Sequence, residues 1–215
     1  YLAVLSYLLC TIAFFPGPVQ GAEVSEMIQK RYQNIQSLQT DFVQELTNAS
    51  SGEQEVHHGT IYYRKPVFIR WEEKRPGQEL LIVNKQVVWD YFPEEGVAYK
   101  YDLEEKFESK TMLRFITGDV DLAEDYSLVD QGMDQGWKKI KLIPKNPEPS
   151  LVLAYIWVDE QENLLRQILL VDFFGNGNQL TFSDLQLNIS LDESLFRFQP
   201  PEGVIVRDST NPEGR

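Results

Sequence analysis

The chain has 215 residues, with 33 acidic and 20 basic residues that give a formal net charge of −13. This length suits one domain with a sizeable core, or at most two small ones. The acidic balance repels phosphate backbones, so nucleic acid is excluded as an expected partner, although acidity of this kind also serves solubility alone. Aromatic residues reach 12% of the chain, a high share.

The first fifteen residues form an apolar run without charge, followed by small and turn-forming residues at 16–22. This layout is typical of a secretory signal, in which Val19 and Gly21 fit the −3 and −1 positions of a cleavage site. Ala22 would then be the first mature residue. A membrane anchor is the alternative, but the run is shorter than the roughly 20 residues that span a bilayer. We therefore predict a signal peptide over residues 1–21.

Cys10 is the only cysteine and lies inside this run, behind two leucines rather than a small residue. It therefore does not form a lipidation motif. The mature part would have no cysteine and no disulfide, even in a compartment that permits disulfides. Its stability must come from the core.

Residues 25–38 predict an amphipathic helix. The apolar residues in this segment recur at spacings of three and four, which places them on one helix face: Ile28, Tyr32, Ile35 and Leu38. Ser25 is the predicted N-cap.

From Thr40 onward, short runs of β-branched and aromatic residues alternate with turn-forming residues. This pattern predicts twelve strands: 41–47, 55–64, 67–74, 79–84, 86–92, 97–102, 126–131, 136–143, 151–158, 164–173, 178–188 and 203–207. The connections are short and rich in Asn, Asp, Gly and Pro, as in hairpins. We expect one large antiparallel sheet, undivided by a linker or a repeat.

The strand pattern is interrupted at residues 109–117, which are compatible with a helix and include Met112, Leu113, Phe115 and Ile116. Residues 119–125 continue as a polar turn or a short helix. Helical pieces against one many-stranded sheet indicate a curled sheet with a lid. The alternative is that these helices fill an ordinary barrel core.

Catalytic and metal-binding patterns are sparse. His57 and His58 are neighbours on a predicted edge strand, so they point to opposite faces and cannot chelate one metal ion together. Asp119, Asp121 and Asp125 resemble the start of a calcium loop, but the glycine and glutamate that complete such a loop are missing. The common nucleophile and dinucleotide motifs are also missing. We expect a binding protein that has no cofactor and no catalytic residues, with an enzyme as the second possibility.

Rings recur at period two on several predicted strands, which indicates a sheet face lined with aromatic side chains. The strand aromatics are Tyr62, Tyr63, Phe68, Trp71, Trp89, Tyr91, Phe92, Tyr99, Tyr101, Trp157, Phe173, Phe174 and Phe182. Ordinary core packing would explain about half of them. A closed barrel of this size would be filled by side chains, whereas an open one can leave a cavity.

Four segments together resemble the LolA family of periplasmic lipoprotein carriers in order and spacing. They are LQTDFVQ at 38–44, GTIYYRKPVFIRW at 59–71, ELLIVNKQVVWDY at 79–91 and FRFQPPEGVIV at 196–206. The resemblance spans nearly the whole mature chain. It implies a LolA-like carrier domain over residues 22–208 and a polar tail at 209–215.

The resemblance also implies a mainly β fold: an incomplete, unclosed antiparallel β-barrel with an N-terminal helix and a helical lid over an apolar cavity. The cavity would take up the acyl chains of lipoproteins in the periplasm. The implied partners are acylated lipoproteins, an inner-membrane lipoprotein-releasing ABC transporter complex and an outer-membrane lipoprotein acceptor, with the carrier as a monomer. The expected cavity residues are Phe42, Ile61, Tyr63, Ile69, Trp71, Leu81, Val83, Trp89, Tyr91, Met112, Leu113, Phe115, Ile116 and Phe182.

The family commonly has an arginine before the proline of the second segment, where its side chain bonds lid backbone and acts as a latch. This chain has Lys65 at that position and Arg64 just before it. The resemblance therefore implies that Lys65, or Arg64 in its place, is the lid latch. Lysine offers a point charge instead of a planar fork, so its latch would be weaker. A solvated basic pair at a strand end is the alternative.

Two other functions fit the same resemblance. A related type of periplasmic module senses lipoproteins and lipids, but it normally carries a second domain, for which we expect no room here. An enzyme or a small-molecule lipid binder on this scaffold is the other alternative.

Overall fold

The computed structural model of the protein describes residues 19–103 and 111–210. The helices are α1 (Val19–Gln33), α2 (Thr111–Thr117) and α3 (Leu122–Asp125), with a 3-10 helix at Glu193–Phe196. The strands are β1 (Ser37–Thr47), β2 (Gln54–Arg64), β3 (Phe68–Arg75), β4 (Glu79–Val83), β5 (Val87–Phe92), β6 (Val97–Asp102), β7 (Tyr126–Asp134), β8 (Trp137–Pro144), β9 (Leu153–Asp159), β10 (Leu164–Val171), β11 (Gly177–Leu187) and β12 (Ile205–Asp208).

All twelve predicted strands are present, and they form one sheet in the order β12-β6-β5-β4-β3-β2-β1-β11-β10-β9-β8-β7. Its two end strands, β12 and β7, do not pair with each other, so the sheet curls without closing. The expected unclosed barrel is confirmed. One detail of the prediction is wrong: β12 runs parallel to β6, with Ile205 opposite Val97. After β11 the chain crosses the outer face of the sheet before β12 pairs with β6. It therefore arrives parallel to β6, whereas a hairpin would have made the two strands antiparallel.

Both faces of the β3–β5 half are covered. On the inner face, Ile69, Trp71 and Leu81 belong to the main core. On the outer face, residues 188–204, here called the covering segment, lie across the strands. Arg70 Nη1 holds this segment by donating to Leu195 O at 3.1 Å. Phe196 in this segment is 1% exposed. The outer face of β4 is therefore apolar as well, and Ile82 is fully buried there.

The predicted helix at 25–38 has different ends. Helix α1 runs from Val19 to Gln33, so Ser25 lies inside it and is not the N-cap. Ile35 falls in the connection to β1 and is 1% exposed, whereas Leu38 belongs to β1 itself. The apolar spacing continues past the helix end because helix, connection and strand all face the same core. The predicted leader up to residue 18 and the tail from 211 lie outside the described residues.

The lid helices are present as predicted within the described residues, although residues 109 and 110 lie outside them. Helix α2 buries Met112, Leu113, Phe115 and Ile116 against the sheet. Gly118 follows it with a φ of +76°, and a Cβ there would lie 2.7 Å from Tyr32 of α1. Asp121 then caps α3 by accepting from the N–H of Ala123 and of Glu124.

Candidate functional site

A cavity of about 680 Å³ opens at one end of the curled sheet. Its walls come from β1, β2, β3, β4, β10, β11 and the start of α2. A volume of this size is typical of ligand-binding sites and exceeds ordinary packing defects.

The inner face of the sheet changes from apolar to polar toward the cavity mouth. Along β3 the inward-facing residues are Ile69, Trp71 and then Glu73, and along β4 they are Val83, Leu81 and then Glu79. The cavity therefore has an apolar floor and an acidic mouth. The expected apolar cavity thus has a polar entrance. The lining carboxylates are those of Glu53, Glu55, Glu73, Glu79 and Asp172.

Of the fourteen predicted cavity residues, four line the open volume: Trp71, Leu81, Met112 and Leu113. Eight others lie in the continuous core: Phe42, Ile61, Tyr63, Ile69, Val83, Phe115, Ile116 and Phe182. The ring of Phe42 packs on that of Trp71 with 4.5 Å between centroids, so the core is continuous with the floor.

Trp89 and Tyr91 do not lie at the cavity, and their predicted placement there is wrong. Trp71 pairs with Leu81, which pairs in turn with Asp90, so Asp90 shares their face and its neighbours point outward. Both rings contact Phe198 on the outer face, at centroid distances of 5.4 and 5.1 Å. The outer covering segment gives these rings an apolar environment away from the cavity.

Among the described residues, the ammonium group of Lys65 bonds the backbone of α1 and not the predicted lid. Its Nζ donates to the carbonyl oxygens of Tyr32 at 3.0 Å and Gln33 at 2.7 Å, at the C-terminus of α1. Its own N–H donates to Gln36 O at 2.8 Å, which places β2's end beside the end of α1. Lys65 therefore caps α1, where a cation also complements the helix dipole.

The described contacts of Arg64 also lie away from the predicted lid. Its guanidinium lies over the rings of Phe68 and Phe196, 4.8 and 5.2 Å from their centroids. Both rings belong to the outer face, so Arg64 helps to hold the covering segment. Within the part of the chain that the structure describes, neither residue contacts the predicted lid, because β2 ends beside α1 and the outer face.

His57 sits just inside the mouth with two carboxylates. Its Nδ1 lies 2.6 Å from Glu73 Oε1, and its Nε2 lies 3.5 Å from Glu55 Oε2. Burial alone would lower the pKa of His57, but the hydrogen bonds and charges of Glu73 and Glu55 together raise it. The expectation that His57 lies on an edge strand is wrong, because β2 pairs with both β1 and β3.

Sequence reasoning missed several lining residues. Leu46 and Leu170 contribute to the apolar part of the cavity, and Gln44 and Asn178 to its polar part. Leu46 and Leu170 lie in predicted strands, but period two does not tell which of these strands are neighbours in the sheet, where both residues flank Asn178. The change from apolar to charged residues along β2, β3 and β4 could have indicated the position of the cavity mouth from the sequence.

The described part of the chain has neither a metal-binding cluster nor a membrane-spanning helix. Among its residues, no group of three histidine, cysteine, aspartate or glutamate side chains could hold a metal ion. None of its helices is both long and apolar enough to cross a membrane.

The sequence matches the family model for "Outer membrane lipoprotein carrier protein LolA" over residues 33–199. It is similar to the outer-membrane lipoprotein carrier protein of Methylococcus capsulatus, with 29% identity over 173 residues that cover 80% of this chain and 82% of the relative. The carrier of Nitrosomonas europaea is 27% identical over 207 residues, covering 95% and 98%.

Solved structures share the fold. An uncharacterized conserved protein from Thermus thermophilus superposes with a TM-score of 0.57 at 11% identity, covering 88% of this chain and 99% of its own. The lipoprotein LppX of Mycobacterium tuberculosis gives a TM-score of 0.51 at 13% identity, covering 81% and 98%. At such identities the likeness concerns the fold alone.

Proposed function

The chain belongs to the LolA family of outer-membrane lipoprotein carriers, and on this premise we propose that it binds the acyl chains of lipoproteins in the periplasm and delivers them to the outer membrane. Cargo would come from an inner-membrane lipoprotein-releasing ABC transporter complex and pass to an outer-membrane lipoprotein acceptor. The carrier itself needs no catalytic residue, because it performs no covalent step.

The cavity of about 680 Å³ is the observation that supports this proposal best. Its floor offers Trp71, Leu81 and Leu170 to an apolar ligand. Each methylene group removed from water contributes about 0.8 kcal/mol, so shielding ten of them contributes roughly 8 kcal/mol. That free energy suffices for capture of an acyl chain that would otherwise face water.

The polar mouth supports release as well as capture. An acyl chain that extends past Trp71 meets Gln44, Glu73 and Glu79 instead of further apolar side chains. Part of a long chain would therefore stay incompletely shielded in the carrier. An acceptor with a longer apolar path binds the same chain better, and this difference in binding free energy drives the hand-over.

Two tryptophans on opposite faces of the sheet provide the test. Trp71→Ser removes an indole from the cavity floor, whereas Trp89→Ser removes one from the outer face. Trp71 is buried, so its loss should cost about 3 kcal/mol of stability, whereas Trp89 is only partly buried and its loss should cost less. We expect only Trp71→Ser to lower the amount of acylated lipoprotein bound per folded molecule, measured by mass spectrometry of the protein purified from the periplasm.

Two results of these measurements would contradict the proposal. A wild-type protein that carries no acylated lipoprotein when it is co-expressed with one would refute the function. Equal loss of cargo in Trp71→Ser and Trp89→Ser, after correction for the folded fraction, would show that the cavity floor is ordinary core. The same spectra report the N-terminus, which we expect at or near Ala22.

A further inference from the structure

Two large apolar side chains are exposed side by side at one turn of the sheet. Phe173 and Phe174, in the turn between β10 and β11, are 71% and 76% exposed, more than any other large hydrophobic residue of the described part of the chain. Their rings form a T-shaped pair with centroids 5.7 Å apart. Scattered single apolar residues are ordinary on a protein surface, but a protruding pair of rings is typical of an interaction site.

The turn that carries the rings is well fixed. The Asp172 carboxylate accepts from the N–H of Phe174 at 2.8 Å and from the N–H and side-chain amide of Asn176 at 2.9 and 2.8 Å. The N–H of Phe173 donates to Pro149 O at 2.9 Å. These bonds hold both rings outward before any partner arrives, so little conformational entropy is lost on binding.

The same turn borders the cavity mouth. Asp172 and Asn176 line the cavity, and Asn176 Oδ1 accepts from the N–H of Ala49 in the turn between β1 and β2 at 3.0 Å. A partner that binds the two rings therefore lies beside the opening of the cavity.

Charge at the mouth indicates which kind of partner fits. The described residues that line the cavity include the carboxylates of Glu53, Glu55, Glu73, Glu79 and Asp172, but no lysine or arginine. With a net charge of −13 as well, this surface repels anionic lipid headgroups. It complements basic side chains, and aromatic anchors in apolar pockets dominate the binding energy of many protein interfaces.

We propose that the Phe173–Phe174 turn docks the carrier onto a partner protein that presents an apolar pocket bordered by basic side chains, and that docking places the partner's lipid-binding path against the cavity mouth. This inference rests on the proposed function, in which such a partner exchanges lipoprotein with the carrier. Lipid membrane as the occupant is the competing outcome.

The test compares two double variants of the full chain. Phe173→Ser/Phe174→Ser removes the rings, and Met133→Ser/Ile205→Ser removes two other exposed apolar side chains, which are 60% and 59% exposed. Affinity is measured for the soluble domain of the outer-membrane acceptor and for the detergent-solubilised release complex. The ring variant should bind at least one of them tenfold or more weakly than wild type, and the control variant within twofold. Glu53→Lys should also weaken that binding and reduce its dependence on salt.

Unchanged affinity of the ring variant for both partners would overturn the proposal. Wild-type protein that co-sediments with protein-free vesicles of phosphatidylethanolamine and phosphatidylglycerol, while the ring variant does not, would overturn it in favour of lipid. The lipoprotein content of the same preparations distinguishes the two proposals. A wild type without lipoprotein refutes the proposed function, whereas a ring variant that carries lipoprotein normally but still docks normally refutes only the docking turn.

Discussion

Lys65 shows how one side chain can join two elements. An apolar side chain could not replace its ammonium group, because this group donates hydrogen bonds to the carbonyl oxygens of Tyr32 and Gln33 at the end of α1. Charge-assisted hydrogen bonds and the helix dipole each contribute on the order of 1 kcal/mol at a partly exposed site. The residue therefore fixes where α1 stops and β1 begins.

Replacing Lys65 by leucine should lower the free energy of unfolding by about 1–2 kcal/mol, because two backbone carbonyls lose their donor. Lys65→Arg should retain most of that stability. Glu26→Leu, at an exposed position in the middle of α1, serves as the control and should change stability by less than about 0.5 kcal/mol. Denaturant unfolding measures all three. A Lys65→Leu variant as stable as the wild type would show that the cap contributes nothing.

His57 makes stability depend on pH. Its folded-state pKa is raised by Glu73 and Glu55, despite a burial effect that lowers it, so protonated His57 favours the folded protein. This stabilisation is fully present below the unfolded pKa of about 6.5 and is lost as pH rises through the higher folded value. The group therefore stabilises the fold in mild acid and not in alkali.

We accordingly expect His57→Gln to lower the melting temperature more at pH 5.5 than at pH 8.5. His58→Gln, on the opposite face of the same strand, is the matched control. A His57→Gln variant whose deficit is the same at both pH values would contradict the account of the histidine and its two carboxylates.

At the scale of elements, β2 and β3 come close at Gly59. A Cβ at this position would lie 2.0 Å from Glu72 O and 2.6 Å from the ring of Phe42, which packs directly over the glycine. The Glu72 oxygen belongs to the backbone and cannot move aside as the end of a flexible side chain can. The position therefore admits only glycine while Phe42 keeps its place in the core.

Gly59→Ala should destabilise the protein by roughly 3 kcal/mol through overpacking. Gly77→Ala is the matched control, since a Cβ there would meet nothing within 4 Å, and it should be close to neutral. Thermal unfolding followed by circular dichroism would compare the two. Equal melting temperatures for both variants would mean that the sheet opens at Gly59 at little cost.

The elements themselves were largely predictable, and the faces of the strands were not. Period-two alternation and turn residues identified all twelve strands, because each strand signals itself locally. Alternation alone cannot tell which face is inner when both are apolar. Trp89 was misplaced for this reason: its partner Phe198 lies more than a hundred residues away in sequence.

Sequence patterns likewise could not predict the parts of the site that depend on contacts between residues far apart in the chain. The floor residues Trp71 and Leu81 were found because strong apolar strands and the family resemblance both point to them. The partner of Lys65 depends on where β2 ends relative to α1, a relation that no local pattern encodes. The same holds for Leu46 and Leu170, which lie on either side of Asn178 in the strand between them.

At the scale of the whole molecule, an unclosed sheet separates two apolar regions with different roles. The outer region is filled by the chain's own covering segment, with Phe196 1% exposed. The inner region is filled by α1 and α2 at one end only and leaves about 680 Å³ open at the other. The core of the fold therefore does not depend on filling the cavity, as the proposed loading and unloading of cargo requires.

The most direct test of the central proposal places a photo-crosslinking benzoylphenylalanine at Leu46, in the cavity wall, and at Tyr91 on the outer face as control. Irradiated periplasm should give a crosslink from position 46 to acylated lipoprotein, none from position 91, and none from either with a lipoprotein whose acylated cysteine has been replaced. Crosslinks of equal yield from both positions, or a crosslink at 46 that persists without the acyl chains, would contradict acyl-chain binding in this cavity.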